Sequence, residues 1–474
     1  MEENFEYLSE EETSAVNRYS DMLKNKNTSY FDIFEFEHII DFYIEKYDIK
    51  KASEVIEYAL KLHPGASSIL LKKAQVLINN GHPFKSLKLL KDLTKLEASN
   101  FTVFFLKGVV YSSLGELSKA ISEFDKALKL AFEGKDELLI NIAATLQQIG
   151  QYDFASKYYK QAYDLDKANS IALYELAYCY EKINRDEESI ELYKKYLSFD
   201  PYSKLAWFNL AGAYHKIEEY DSAIDALEYV IAIDPKYNYA YYQKALNEVY
   251  NEMYDVGIKT FNEYLLLEPD SPSALFHIGE AYAKQENYKE ALEFFDKTLK
   301  LDHLNSEAFY GQAYILFSEK KFTDAYNSIK KAIKLDPEDP DFWHLLALIN
   351  QSLGFVTESE KAFKTAIEIE STDPQIWIDY SKLDYAKKNL FKKINILSEA
   401  FEHFGDNAEI NYRLAANLAL IQNLDSAAYH LKMALIAEPD KIEIFRSIYS
   451  EKDTFFEKLI DNFSIDTFDC GIKN

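Results

Sequence analysis

Histidine, cysteine and paired carboxylates are the side chains from which a catalytic or metal site would be built, and in this sequence they are scattered. His63, His82, His277, His303 and His430 fall at unrelated spacings, and the only cysteines are Cys179 and Cys470. Two thiols provide neither a disulfide framework nor a four-thiolate metal site. Cys179 sits in the apolar run Leu176-Ala177-Tyr178-Cys179-Tyr180, where it reads as a small core filler, whereas Cys470 lies in the tail. There is no His-Glu-x-x-His, no Cys-x-x-Cys, no phosphate loop and no dinucleotide glycine pattern. Glu187-Glu188 reads as solvated charge at a helix start. The expectation is therefore a protein that is not an enzyme and carries no metal or cofactor.

Aromatic rings are the abundant chemistry: 37 tyrosines and 32 phenylalanines in 474 residues. Hydrophobic residues make up 48% and charged residues 28%, enough to bury a core and too apolar for a disordered chain. Scarce glycine (13) and proline (10) favour helix over a turn-rich β architecture. A formal net charge of −26 with no basic stripe argues against nucleic acid as a partner and favours solubility. The first residues, Met1-Glu2-Glu3-Asn4, lack the basic start and apolar stretch of a signal peptide, and no apolar run approaches the roughly 18–20 residues that span a bilayer. These features predict a cytoplasmic protein with no membrane insertion.

The elements that position the rings are marked by prolines. Pro201, Pro235 and Pro269 are 34 residues apart, and Pro64, Pro337 and Pro439 share their phase once a residue is inserted near Gly134-Lys135. Pro272, Pro340 and Pro374 share a phase three residues later. Midway between these turns lie Gly81, Gly115, Gly150 and Gly354, suited to a helix C-terminus with positive φ. Each unit thus reads helix, turn, helix, turn, in the frames 33–66, 67–100, 101–134, 136–169, 170–203, 204–237, 238–271, 272–305, 306–339, 340–373, 374–407 and 408–441.

Within the frames, the fourth position is large (Phe36, Trp207, Trp343 and Trp377 among them), with Asn411 the exception. The eighth is small, as at Ala74, Gly108 and Gly279, with Ile40 the exception. The twentieth is small too, as at Ala120, Ser189 and Gly257, with Lys393 the exception, and the twenty-fourth is always apolar. Small residues at eight and twenty let the paired helices approach, while large ones at four and twenty-four fill the space beside that contact. Positions 4, 7, 8 and 11 share one helix face. Two short helices cannot bury that face alone, but stacked neighbours can.

This pattern resembles tetratricopeptide repeats, which place Trp, Leu, Gly, Tyr, Ala, Phe, Ala and Pro at set points in a unit of about 34 residues. The unit 204–237 carries Trp207, Leu210, Ala211, Tyr214, Ala223, Leu227, Val230 and Pro235; the unit 101–134 carries Phe104, Gly108, Tyr111, Ala120, Phe124 and Ala127. The resemblance implies an all-α, right-handed superhelical solenoid of about twelve helix-turn-helix repeats. It would comprise an N-terminal capping helix and linker over 1–32, the array over 33–441, and C-terminal capping helices and tail over 442–474. Glu248, and Asp384, Lys393 and Gly405 in the eleventh unit, depart from the pattern and predict local distortion. Ser9 and Glu12 form a capping box opening a helix with Val16, Tyr19, Met22 and Leu23 on one side, and Asn25 to Ser29 is a polar break. At the other end Phe445 and Ile448 begin a further unit, Tyr449 occupies a position that should be small, and a divergent helix near 451–463 closes the core.

The resemblance also implies that first helices line a concave groove through positions 2, 5, 9, 12 and 13. Its middle is then aromatic: Tyr174, Tyr178, Phe208, Tyr239, Tyr242, Tyr250, Phe276, Tyr310, Tyr314 and Phe317, with Lys182, His215, Lys216 and Lys284 among them. The first unit contributes Glu37, Asp41 and Glu45, which would favour a basic flank on a partner. Family members that clamp a chaperone C-terminus do so with lysine at position 5 and asparagine at position 9, a pair that no unit here contains. The expected function is a scaffold or adaptor binding a protein or peptide segment; self-associating assembly and peptide-responsive regulation are the alternatives. Truncating Tyr242 and Tyr310 separates groove from core, since an anchor is lost without loss of stability and a packing ring is not.

Overall fold

Small residues recurring at the predicted phase draw successive helices into hairpins throughout the computed structural model, which describes residues 10–25, 29–369, 372–383, 389–450, 455–456 and 460. Among these residues there are 26 α-helices, one four-residue 3-10 turn and no strand. The chain divides into two compact units, Met1–Asp234 and Pro235–Asn474, each a succession of such hairpins. First helices such as Lys204–Lys216 and Ser306–Ser318 alternate with second helices such as Tyr220–Ile233 and Phe322–Leu335.

The hairpin contact is as tight as the residue types suggest. A Cβ on Gly108 would lie 2.3 Å from the ring of Phe124, and one on Gly279 would lie 2.8 Å from Phe295. In two of the units where serine replaces glycine or alanine at the twentieth position, its hydroxyl bonds across the same contact: Ser86 Oγ donates to Ala74 O at 2.9 Å and Ser359 Oγ to Ala347 O at 2.8 Å, whereas the Ser189 hydroxyl is buried there without a hydrogen-bond partner. Position twenty-four is buried in every unit, with Tyr193 the most exposed at 3%. Ile40, the exception at position eight, is also fully buried, while Lys393 is half-buried.

The turns behave as a set. The four mid-unit glycines have φ of 71, 74, 74 and 80°, and non-glycine residues take the same conformation at the same phase: Tyr47, Asn184, Glu218, Glu252, Glu286, Lys320 and Gln422. Several first helices are capped by the side chain of the residue before them, as where Asn169 accepts from Ala172 N and Asn305 from Ala308 N. Position four adds a second clasp. Trp207 Nε1 donates to Pro201 O and Trp343 Nε1 to Pro337 O, both at 2.9 Å. Asn411, the exception among the large residues, makes the equivalent bond to Gly405 O at 2.8 Å. Two departures from the repeat pattern thus satisfy each other, and the half-buried His430, with Nδ1 2.9 Å from Asn411 Oδ1, completes the network.

Several expectations change. Glu248 does not distort its helix, Asn238–Tyr250, which runs its full 13 residues; the carboxylate is buried with Lys244 3.7 Å away. In the eleventh unit the helix Pro374–Lys382 does stop after 9 residues, where Leu383 turns extended and is fully buried. Leu23 is 53% exposed, its expected place in the buried stripe taken by Ala15. A capping box is present at Asp32 and Glu35, which sequence reading missed. Phe445, Tyr449 and Phe456 pack together in a buried cluster, with Ile448 half-buried at its edge. Ser9, Asp384 and Cys470, the centre of the polar break (26–28) and most of the closing helix near 451–463 lie outside the described residues.

Two substitutions test these constraints by chemical unfolding. Gly108→Leu, which forces Phe124 from its place, lowers stability by about 1–3 kcal/mol. Glu252→Gly relieves a left-handed backbone and, after the added freedom of the unfolded chain is deducted, raises stability by about 0.5–1 kcal/mol.

Candidate protein-binding groove

First helices carry two faces, one pressed into the hairpin and one turned toward the neighbouring first helix, with second-helix residues such as Tyr193 and Phe295 reaching it. Each compact unit has a hollow on that second face. In the N-terminal unit it has a volume of about 600 Å³ and lies between Ser170–Lys182 and Lys204–Lys216, lined by Tyr174, Tyr178 and Phe208 together with Gln147, Glu175, Glu181, Tyr193, Asn209, Gly212 and Lys216. In the C-terminal unit a hollow of about 420 Å³ lies between Pro272–Lys284 and Ser306–Ser318, lined by Phe276, Tyr310 and Tyr314 with Glu280, Ala283, Lys284, Glu286, Tyr288, Phe295, Glu307 and Gly311.

The ten rings expected in the groove divide by what covers them. Tyr178 and Tyr314 border the hollows and are 40% and 49% exposed. Tyr239 and Tyr250 are exposed on the helix Asn238–Tyr250 but line neither hollow. Tyr174, Phe208 and Phe276 are half-buried in the hollow walls; Tyr174 leans on Tyr193 at 6.3 Å and Phe276 on Phe295 at 5.7 Å. Tyr310 lies 5.1 Å from Phe342 in a stacked pair, and burial, aided by Asp341 and Asp339, pushes its hydroxyl up to about 12. Tyr242 is held among Phe261, Tyr264 and His277, with its hydroxyl likewise raised by burial. Phe317 packs on Phe322 at 5.7 Å. Tyr242 and Phe317 thus line neither hollow and are half-buried against neighbouring side chains, while Tyr310 both packs on Phe342 and lines the C-terminal hollow.

The cations are committed unevenly. Lys216 Nζ reaches Asp186 Oδ1 at 2.7 Å and the carbonyl of Glu181 at 2.9 Å. Lys182 stands over the Tyr178 ring at 5.2 Å, His215 lies against Tyr220, and Lys284 is exposed. Of the first unit's acidic residues, Asp41 pairs with Lys72 at 2.6 Å. Sequence reading passed over the carboxylates lining the hollows, although Glu181, Glu280 and Glu307 fall at positions 12, 9 and 2, the same phases that selected the rings. Glu175, at position 6, had no such signal. Cys179 is fully buried, and burial pushes its thiol up to about 12, which leaves it unreactive. No group of histidine, cysteine and carboxylate side chains that could hold a metal occurs among the described residues, and none of their helices is long and apolar enough to cross a membrane.

Tetratricopeptide-repeat models match residues 141–204 and 242–306 in one form and residues 101–133 and 205–237 in another, within the frame of hairpins described above. The chain belongs to the tetratricopeptide-repeat family. A further model, described as anaphase-promoting complex, cyclosome, subunit 3, matches residues 285–366. Among solved structures, yeast Tom70 is 17% identical, covering 83% of this chain and 95% of its own, with a TM-score of 0.45. A tetratricopeptide repeat protein from Parabacteroides merdae is 19% identical over 52% of this chain and 98% of its own, with a TM-score of 0.44. MamA from Desulfovibrio magneticus is 24% identical over 37% of this chain and 99% of its own, with a TM-score of 0.34. None of the curated proteins compared with the chain matches it. Tetratricopeptide-repeat proteins are in general non-catalytic interaction scaffolds.

The division among the rings gives an expected outcome for alanine substitution. Tyr310→Ala and Tyr242→Ala each lower stability by about 2–4 kcal/mol through lost packing. Tyr314→Ala stays within about 0.5 kcal/mol of the parent protein, as read by denaturant unfolding.

Proposed function

We propose that this tetratricopeptide-repeat protein is a non-catalytic scaffold or adaptor that holds a peptide or protein segment against the exposed face of its first helices. The observation that carries this reading is the pair of hollows bordered by Tyr178 and Tyr314, large rings left partly uncovered beside aromatic walls. A tyrosine in that setting offers wide contact area at low entropy cost and a hydroxyl for the rim of an interface. Tyr174, Phe208 and Phe276 support it from below, their packing holding the walls in place before a partner arrives.

Affinity purification with the full chain tests the proposal. Proteins retained by the parent chain are lost or much depleted with the double variant Tyr178→Ala/Tyr314→Ala, whose unfolding midpoint matches the parent's. Undiminished capture by the double variant overturns the groove and moves the interaction to another surface.

A further inference from the structure

Glycines inside the helices have a visible cause almost everywhere in this chain. Gly108, Gly257, Gly279 and Gly311 each sit where an added Cβ would fall within 2.8 Å of a neighbouring side chain. Gly212 is different. It lies in the interior of the helix Lys204–Lys216 without positive φ, is exposed, and an added Cβ would meet nothing within 4 Å. Glycine weakens a helix interior relative to alanine, so the fold gains nothing from it there. The bare backbone it leaves lies in the lining of the N-terminal hollow, with Tyr178 and Phe208.

The charges of that hollow define what would lie on it. Its lining carboxylates are Glu175 and Glu181; its lining cation, Lys216, is already held by Asp186 and by the carbonyl of Glu181, and Lys182, outside the lining, stands over the Tyr178 ring. Glu175 accepts a hydrogen bond from Gln147 at 2.7 Å, which fixes it in the wall. Burial raises the pKa of Glu181, with Lys216 and Lys182 pulling the other way and Asp186 adding to the rise. Aromatic faces beside carboxylates attract a cation, and a long aliphatic stem needs a flat surface to cross.

We infer that the hollow over Gly212 receives a lysine or arginine side chain of an extended peptide, the stem crossing the bare backbone between Tyr178 and Phe208 and the charged head meeting Glu181. This rests on the groove reading and specifies its ligand. The C-terminal unit's hollow has the same character independently: three carboxylates, Glu280, Glu286 and Glu307, against the single cation Lys284, beside Tyr310 and Tyr314.

A random dodecapeptide library displayed on phage, panned against the full chain, supplies the probe. Selected peptides are expected to be enriched in lysine and arginine. Their affinity, read by fluorescence anisotropy, falls about tenfold or more with Gly212→Leu and severalfold with Glu181→Gln, while the unfolding midpoint of either variant is unchanged or higher. Selected peptides that are acidic or uncharged, or that bind Gly212→Leu as well as the parent, overturn this inference and leave the scaffold reading standing. Failure to select any binding peptide overturns the groove itself. If Gly212→Leu lowers the midpoint, the glycine serves packing and the inference falls.

Discussion

The structure depends on one contact, the approach of two helices across small residues at a fixed interval. Where glycine occupies the eighth position, the ring of the twenty-fourth residue lies almost against backbone, as Phe124 does at Gly108. Packing at that distance gains dispersion on all sides of the ring and leaves no void that a smaller side chain would open. Ser86 and Ser359 at the twentieth position keep the same separation by a different means, binding the carbonyl that a methyl group would merely touch. Everything else in the chain is arranged so that this contact can recur.

Recurrence needs turns and clasps that repeat as well. The left-handed residue in the middle of each described hairpin ends the first helix abruptly and sets the second at the correct angle, and only some units use glycine for it. The bond from position four to the carbonyl at the preceding turn fastens one hairpin to the next. Tryptophan, tyrosine and asparagine all make it, Tyr241 through its hydroxyl to Pro235 O at 3.3 Å. Buried charge follows the same economy. Lys107 and Glu123 pair at 2.7 Å within the third unit, and Lys126 reaches the same carboxylate. Burial would raise the pKa of Glu123, but the hydrogen bonds of both lysines outweigh it and hold the carboxyl below its ordinary range.

The face that hairpin packing does not use is the one on which a partner is proposed to act. Its rings are of two kinds, those seated on a neighbour and those left open, and the difference gives the face both rigidity and contact area. Glu175 and Glu181 beside Tyr178, and Glu280 beside Tyr314, are half-buried carboxylates of that face, while Glu307 there is exposed. A surface charge acts through screened water, whereas a half-buried carboxylate beside aromatic rings acts through a medium that screens less.

The repeat was legible in the residues alone because its cause is local. Proline phase, the alternation of small and large side chains and the mid-unit glycines each report on contacts within some 34 residues of chain, so the helices, the hairpins and the family could all be read from spacing. Exceptions to the spacing were legible only as exceptions. That Asn411 and Gly405 satisfy one another, and that Glu248 keeps its helix whole, depended on groups brought together by folding. The candidate groove was legible to the same depth. Helical phase placed Tyr310 and Tyr314 together on one face, but whether a ring is covered is decided by the next hairpin: Phe342 takes up the face of Tyr310, while Tyr314 stays half exposed. Periodicity fixes the direction in which a side chain leaves its own helix, and only the packed neighbour determines what it meets there.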